Sequence, residues 1–142
     1  MEEINKLRLF YKLKDVQRSN SVGKRKESPA EHTWSSLILA DYFLSIMKEK
    51  LDRLKVYELL LYHDVVEIEV GDVCISNIEG RKNKTDNEKQ AMLVLKDKLP
   101  SPLNDKFVAL FTEFENQETK EARFVKAIES LDAELHEMDY KE

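Results

Sequence analysis

The stretch that decides the fold lies near the middle of the chain and reads His63-Asp64-Val65-Val66-Glu67-Ile68-Glu69-Val70-Gly71-Asp72. Apolar residues before it recur at spacings of three and four, which predicts a helix from about Asp52 to Ile68. Neighbouring residues on a helix project about 100° apart, and residues three or four apart share a side. We therefore expect His63, Asp64 and Glu67 to face one cleft, where they would make a suitable divalent-metal set.

A histidine followed by an aspartate on a helix is more often a capping or surface pair than a metal site. Three features favour a metal site here. The pair follows the apolar run Leu59-Leu60-Leu61, and two further acids, Glu67 and Glu69, come soon after it. The pair Gly71-Asp72 then ends the helix with another carboxylate near the same cleft.

A second imidazole comes from the segment Glu27-Ser28-Pro29-Ala30-Glu31-His32-Thr33-Trp34. Ser28 and Glu31 have the spacing of a capping box, and a proline follows the cap, so a second helix is predicted to begin here. His32 would lie in its first turn. A histidine near a helix end usually only satisfies a hydrogen bond, but together with the His-Asp pair a shared metal site is the better interpretation.

The rest of the chain is predicted to be helical as well. Only 3 Gly and 3 Pro occur among 142 residues, which disfavours a sheet protein rich in tight turns. Apolar spacing predicts a first helix from Ile4 to about Val16, a fourth from about Asn87 to Leu99, a fifth after Pro102 and a last one from near Glu118.

Two polar stretches, 17–26 and 71–85, are predicted to be irregular. Trp34 is expected in the core, together with the phenylalanines of the fifth helix. The predicted buried stripe of the last helix consists of Phe124, Ile128, Leu131 and Leu135.

Composition narrows the class of protein. A length of 142 residues fits a single domain, 1–142. The net charge of −5 argues against a nucleic-acid polymer as partner but not against a small phosphorylated ligand. Cys74 is the only cysteine, so no intrachain disulfide can form. No signal-like segment and no apolar run of about 20 residues is found, so we expect a cytoplasmic protein with no membrane partner.

Three joined motifs resemble one known family: Glu-Ser-x-Ala-Glu-His from Glu27, His-Asp-x-x-Glu-x-x-x-Gly-Asp from His63, and Glu-Ala-x-Phe-Val-Lys ending at Lys126. They resemble the 5′-deoxynucleotidase family of the HD-domain superfamily of metal-dependent phosphohydrolases, which includes the HD-domain-containing protein 2 group. The similarity runs from Leu13 to about Tyr140. Any one of these motifs alone would be weak, whereas the combination is specific.

The resemblance implies an all-α HD-domain bundle of roughly six helices that hydrolyses (deoxy)ribonucleoside 5′-monophosphates to nucleoside and phosphate. It assigns three metal ligands, His32, His63 and Asp64. It further implies a small-molecule nucleotide substrate and a homodimer. The mixed imidazole and carboxylate set suggests Mn²⁺, Co²⁺, Mg²⁺ or Fe²⁺ as the cofactor.

Three catalytic residues are also implied by the resemblance. Glu67 and Asp72 match acids that handle the attacking water and the substrate. Arg18 matches an arginine that lies near the substrate phosphate.

The chain departs from the family pattern at the fourth metal ligand. An aspartate is expected three residues after Lys126, and this chain has Glu129 there. Asp132 lies one turn further on the same face and His136 another turn on, so either could act as an alternative ligand. Asp132 and His136 are more simply interpreted as solvated surface residues.

A second departure concerns the first loop. Family members often carry an aromatic residue soon after the arginine, where this chain has Ser19, Asn20 and Ser21. The preference for deoxyribose therefore stays open.

Two other functions stay possible. One is a different HD hydrolase that acts on a nucleoside triphosphate or a signalling nucleotide. The other is a degenerate, non-catalytic domain that binds a nucleotide.

Overall fold

The computed structural model describes residues 2–70 and 78–140. Within them the chain forms seven α-helices, one 3-10 segment and a two-stranded hairpin. In order these are α1 (Glu2–Leu7), the 3-10 segment (Arg8–Lys14), β1 (Ser21–Val22), β2 (Arg25–Lys26), α2 (Pro29–Ile46), α3 (Arg53–His63), α4 (Glu67–Val70), α5 (Ile78–Lys98), α6 (Leu103–Asn116) and α7 (Lys120–Tyr140). The all-α expectation is confirmed.

Helix α3 lies at the centre of the bundle and packs against α2, α6 and α7, while α5 covers α6 and α4. The core where these helices meet contains mostly large aliphatic and aromatic side chains; its fully buried members include Val56, Leu59, Leu60, Leu95, Phe107, Phe111 and Val125. None of the described helices has both the length and the apolar character needed to cross a bilayer.

The predicted capping box is present at the start of α2. The Ser28 hydroxyl accepts from the backbone N–H of Glu31 at 3.2 Å, and the Glu31 carboxylate accepts from the backbone N–H of Ser28 at 3.0 Å. These two bonds satisfy backbone N–H groups that have no partner at the start of a helix. They therefore fix where α2 begins and place His32 in its first turn.

The prediction of a continuous helix as far as Ile68 is wrong at its C-terminal end. Helix α3 ends at His63, and Asp64 caps it with φ −106° and ψ 5° before the short α4 begins at Glu67. Val65 and Val66, between them, are both buried. Because successive residues of a helix point about 100° apart, leaving the helix here lets both valines reach the core.

The irregular stretch predicted at 17–26 contains the hairpin. Ser21 pairs with Lys26 and Val22 with Arg25 in an antiparallel register. Gly23 sits in the turn at φ +62°, a conformation that favours glycine.

The expected start of the fourth predicted helix is also corrected. Helix α5 begins at Ile78 and not near Asn87, so Gly80 lies inside it; one interior glycine costs only about 1 kcal/mol, too little to stop a helix of 21 residues. Gly71, Asp72 and Cys74 lie outside the described residues.

On α7 the buried positions are Ala122, Val125, Ile128 and Asp132, whereas Leu135 of the predicted stripe is exposed. Trp34 is not in the core either, since 66% of its surface is exposed. Helices α2 and α7 pack closely, and the buried positions of both include small and polar residues. Part of the apolar surface of each helix therefore faces outward.

Candidate metal centre and phosphate cleft

The two histidines predicted from separate motifs lie side by side in the core. Helix α2 supplies His32 and the end of α3 supplies His63, with ring centres 5.5 Å apart. His63 Nδ1 lies 2.6 Å from the Leu60 carbonyl oxygen. Because a carbonyl only accepts, Nδ1 carries the proton and Nε2 presents a lone pair.

His32 is oriented in the same way by a carboxylate. Its Nδ1 lies 2.7 Å from Asp132 Oδ2, so Nδ1–H donates to Asp132 and Nε2 faces Glu129, whose Oε2 is 3.5 Å away. A carboxylate behind the distal nitrogen of a metal-binding histidine fixes the ring and raises its basicity. The contacts of Asp132 are those expected of such a support.

The expectation that Asp132 and His136 are solvated is therefore wrong. Asp132 is 5% exposed and hydrogen-bonded to His32. The His136 side chain is also largely covered, and its Nε2 donates to the Ser21 carbonyl oxygen at 2.7 Å. Both residues face inward because the buried side of α7 continues along the spacing Val125, Ile128, Asp132.

Three side chains form a tight cluster. One ligand atom each of His32, His63 and Glu129 lies within 4.8 Å of the other two. Asp64 joins from the turn after α3, with Oδ2 3.5 Å from His63 Nε2. The longer glutamate side chain at 129 thus still reaches the two imidazoles.

Charge interactions shift the pKa values of His32 and Glu129 in opposite directions. Burial lowers the pKa of His32, but its hydrogen bond with Asp132 and the nearby Glu129 carboxylate outweigh that and raise the pKa to about 9. Burial likewise raises the pKa of Glu129, while His32, His63 and Lys126 lower it to about 2. Without a metal ion, the protonated His32 ring and the ionised Glu129 carboxylate attract each other across 3.5 Å on this side of the cluster.

The residues fit a divalent ion. The Nε2 atoms of His32 and His63 and the Oδ2 atom of Asp64 are buried and have no hydrogen-bond partner among the described residues. Buried polar atoms without partners are rare and call for an explanation. Two imidazole lone pairs and carboxylate oxygens converging on one point are what Mn²⁺, Fe²⁺, Co²⁺ or Mg²⁺ sites use, and no thiolate is present among them.

A cleft of about 520 Å³ opens beside the cluster. His63, Asp64 and Glu129 form its floor side, and Arg18 and Lys126 bring positive charge to its wall. Arg18 Nη1 lies 3.6 Å from Asp64 Oδ2, and Lys126 Nζ lies 3.1 Å from Glu129 Oε1. Two cations beside this candidate metal site suit a phosphate group.

Sequence reasoning missed three residues around this cleft. Lys126 was treated only as part of a motif. Glu27 and Glu88 are buried carboxylates, and Glu88 also lines the cleft. A signal did exist for Glu88, because it occupies the buried spacing of α5 that continues through Ala91 and Leu95.

Of the two remaining predicted residues, Glu67 and Asp72, the structure describes only Glu67. Glu67 is 2% exposed, and its backbone N–H donates to the Asp64 carbonyl oxygen at 3.0 Å. Its side chain is not part of the cleft wall that the described residues form. Asp72 lies outside those residues.

Comparison with known proteins agrees with this fold. A model of the HD domain matches residues 10–142. The chain is 30% identical over 139 residues to human 5′-deoxynucleotidase HDDC2, which covers 96% of this chain and 67% of that protein. The bovine protein of the same name is 31% identical over 139 residues, covering 96% of this chain and 66% of its own length. The chain belongs to the HD-domain family and spans about two thirds of these relatives.

Solved structures give the same result. A predicted metal-dependent phosphohydrolase from Magnetospirillum magnetotacticum has a TM-score of 0.82 and 31% identity, covering 95% of this chain and 68% of that one. A conserved hypothetical protein from Pyrococcus furiosus has a TM-score of 0.77 and 25% identity, covering 97% and 84%. The chain is therefore an HD-domain, metal-dependent hydrolase.

Proposed function

We propose that this protein removes the phosphate from (deoxy)ribonucleoside 5′-monophosphates with a divalent metal ion held by His32, His63, Asp64 and Glu129. The observation that carries the proposal is the convergence of unpartnered Nε2 and Oδ2 atoms on one point, with Arg18 within 3.6 Å of Asp64. The names of the HDDC2 relatives support the substrate class.

Within this proposal each residue has a stated task. A divalent ion, when bound, supplies Lewis-acid polarisation and a water of lowered pKa. Arg18 holds the phosphate through its terminal N–H groups. Glu67 orients the attacking water or accepts its proton as the water oxygen bonds to phosphorus and the bond to the 5′ oxygen breaks. Asp72 hydrogen-bonds the sugar or assists the leaving oxygen.

Asp132 is proposed as the support of His32 and not as a ligand. Its Oδ2 is engaged by the Nδ1–H of His32, on the opposite side of the ring from Nε2. A Glu129→Asp variant should therefore keep metal binding, whereas Asp132→Ala should weaken it without removing it.

The test is phosphate release from a panel of ribo- and deoxyribonucleoside 5′-mono- and triphosphates. It is run with EDTA and then with Mn²⁺, Co²⁺ or Mg²⁺ added back. Metal-dependent release from monophosphates is expected, and the ratio of ribose to deoxyribose substrates shows what Ser19, Asn20 and Ser21 do in place of an aromatic residue.

Other outcomes would identify the alternatives. Release from triphosphates alone would replace the proposal with a different HD hydrolase. A folded protein that releases nothing with any metal would be a degenerate binding domain. Glu67→Ala should bind metal normally and turn over slowly; loss of metal would instead make Glu67 a ligand.

We further propose that the protein is a cytoplasmic homodimer that associates through the outer face of α2. Trp34, Ile38, Tyr42 and Ile46 follow one another every four residues, and each is more than half exposed. Such a row of large apolar side chains is typical of an interaction surface. In sedimentation, Ile38→Glu should convert dimer to monomer, whereas Lys24→Glu, at the exposed turn of the hairpin and outside α2, should not.

A further inference from the structure

The buried carboxylate of Glu27, which has no role in the proposed reaction, contacts the Nε atom of Arg18. Glu27 Oε1 lies 3.0 Å from Arg18 Nε, and both side chains are largely covered. The two backbones are also joined, because the Arg18 N–H donates to the Glu27 carbonyl oxygen at 2.7 Å. The Glu27 N–H in turn donates to the Asn20 carbonyl oxygen at 2.8 Å.

The other oxygen of the same carboxylate meets the last helix. Glu27 Oε2 lies 3.3 Å from His136 Nδ1. His136 Nε2 donates to the Ser21 carbonyl oxygen, so Nε2 carries a proton. The His136 ring therefore lies against both the hairpin backbone and the Glu27 carboxylate.

We propose that Glu27 and His136 are positioning residues, which fix the Arg18 guanidinium so that its terminal N–H groups face the phosphate cleft. Glu27 contacts the Nε side of the guanidinium and leaves Nη1 directed towards Asp64. His136 holds Glu27 and ties α7 to the hairpin at Ser21. This inference rests on the proposed function, since it takes phosphate as the ligand of Arg18.

The physical gain is preorganisation. A free arginine side chain samples many rotamers, and this entropy is lost when the guanidinium is fixed on an anion. Because Glu27 already restrains Arg18 in the free protein, less of that entropy is lost when phosphate binds. The burial of Glu27 is compensated by its two partners, as a buried charge requires.

The test is calorimetric titration of the Mn²⁺-loaded protein with inorganic phosphate, so that it does not depend on turnover. Glu27→Gln keeps the size of the side chain and removes its charge. We expect phosphate affinity to fall about tenfold, while Mn²⁺ affinity stays within twofold of the wild type. Lys24→Ala, at the exposed turn of the same hairpin, is the matched control and should change neither affinity.

A double-mutant cycle separates positioning from general structural damage. If Glu27 acts through Arg18, Glu27→Gln should have no further effect on phosphate affinity in an Arg18→Ala background. An equal tenfold loss in both backgrounds would overturn the inference, and so would an unchanged affinity in the Arg18 protein. Should Glu27→Gln fail to fold, His136→Phe, which keeps a ring beside Tyr140, takes its place in the same cycle.

The outcome is distinguishable from failure of the proposed function. Absence of nucleotide hydrolysis together with Glu27-dependent phosphate binding would refute the nucleotidase proposal and support the positioning role. Hydrolysis with phosphate affinity independent of Glu27 would do the reverse. With active enzyme, the Glu27→Gln change should raise KM more than it lowers kcat.

Discussion

Helices α6 and α2 have similar shares of large apolar residues but bury opposite kinds of side chain. On α6 the buried positions are Phe107, Leu110, Phe111 and Phe114. On α2 they are Pro29, His32, Thr33, Ser36 and Ala40, while Trp34, Ile38, Tyr42 and Ile46 face outward.

Helix α6 therefore contributes to the hydrophobic core, whereas α2 contributes to the candidate metal site. The apolar residues of α6 are concentrated on one face, so their periodicity predicts the buried side. Those of α2 are spread around the helix and mark no side. A helix that presents a metal ligand to a neighbouring helix needs small and polar residues on that face, and its large apolar residues then lie elsewhere.

The largest effect should come from the inward face of α2. His32→Ala removes a proposed metal ligand and leaves the buried Asp132 without its donor, so turnover should fall at least about 1000-fold and Mn²⁺ binding should weaken strongly. Ser36→Ala is the matched control: Ser36 is fully buried one turn further on, and its hydroxyl has no partner among the described residues. Equal losses in both variants would contradict the division of α2 into a ligand position and a packing position.

On α6 the effect should be on stability. Phe111→Ala removes a fully buried ring and should lower the free energy of unfolding by about 3–5 kcal/mol. Urea denaturation of the metal-free protein measures it. Thr112→Ala, the exposed neighbour, serves as the control and should cost less than about 0.5 kcal/mol. If Phe111→Ala lowered the free energy of unfolding by less than about 1 kcal/mol, the buried face of α6 would not be part of the hydrophobic core.

The charge interaction between His32 and Glu129 makes the stability of the metal-free protein depend on pH. The pKa of His32 lies near 9, above its ordinary 6.5, so its contribution is complete below pH 6.5 and is lost as pH rises through 9. The pKa of Glu129 lies near 2, below its ordinary 4.5, so its contribution is lost as pH falls from 4.5 towards 2. In EDTA, denaturation midpoints should be highest between about pH 4.5 and 6.5.

Bound metal should offset the loss of stability that the metal-free protein shows at alkaline pH. A divalent ion competes with the proton on His32 Nε2, so Mn²⁺ affinity should rise between pH 6 and 8 with release of about one proton. Titration calorimetry in buffers of different ionisation enthalpy measures that proton. A pH-independent affinity would mean that His32 is neutral in the metal-free protein.

The smallest effect should come from the outward face of α2. Trp34→Ala removes the largest side chain of the chain, yet the free energy of unfolding of the monomer should change by less than about 0.5 kcal/mol because the ring is mostly exposed. Measured at rising protein concentration, the wild type should gain stability and this variant should not, if α2 forms the dimer. A large loss in the dilute monomer would place the ring in the core after all.

Much of the fold followed from the sequence. The capping box at Ser28, the buried face of α6 and the all-helical class were predicted by local chemistry and periodicity, because those signals need only neighbouring residues. The inward positions of Asp132 and Glu88 carried a weaker signal of the same kind, a carboxylate on a buried spacing, and Asp132 was misinterpreted because acids are usually solvated.

The sequence by itself determined the class of fold, the separate motifs around His32 and His63, and the presence of an acid at 129. The tertiary structure decided that α2 and α7 meet, which brings Asp132 to one nitrogen of His32 and Glu129 to the other. It also decided that Glu27 lies between Arg18 and His136. The pairs 32–132 and 27–136 are each about a hundred residues apart, and no local pattern records a contact that only helix packing creates.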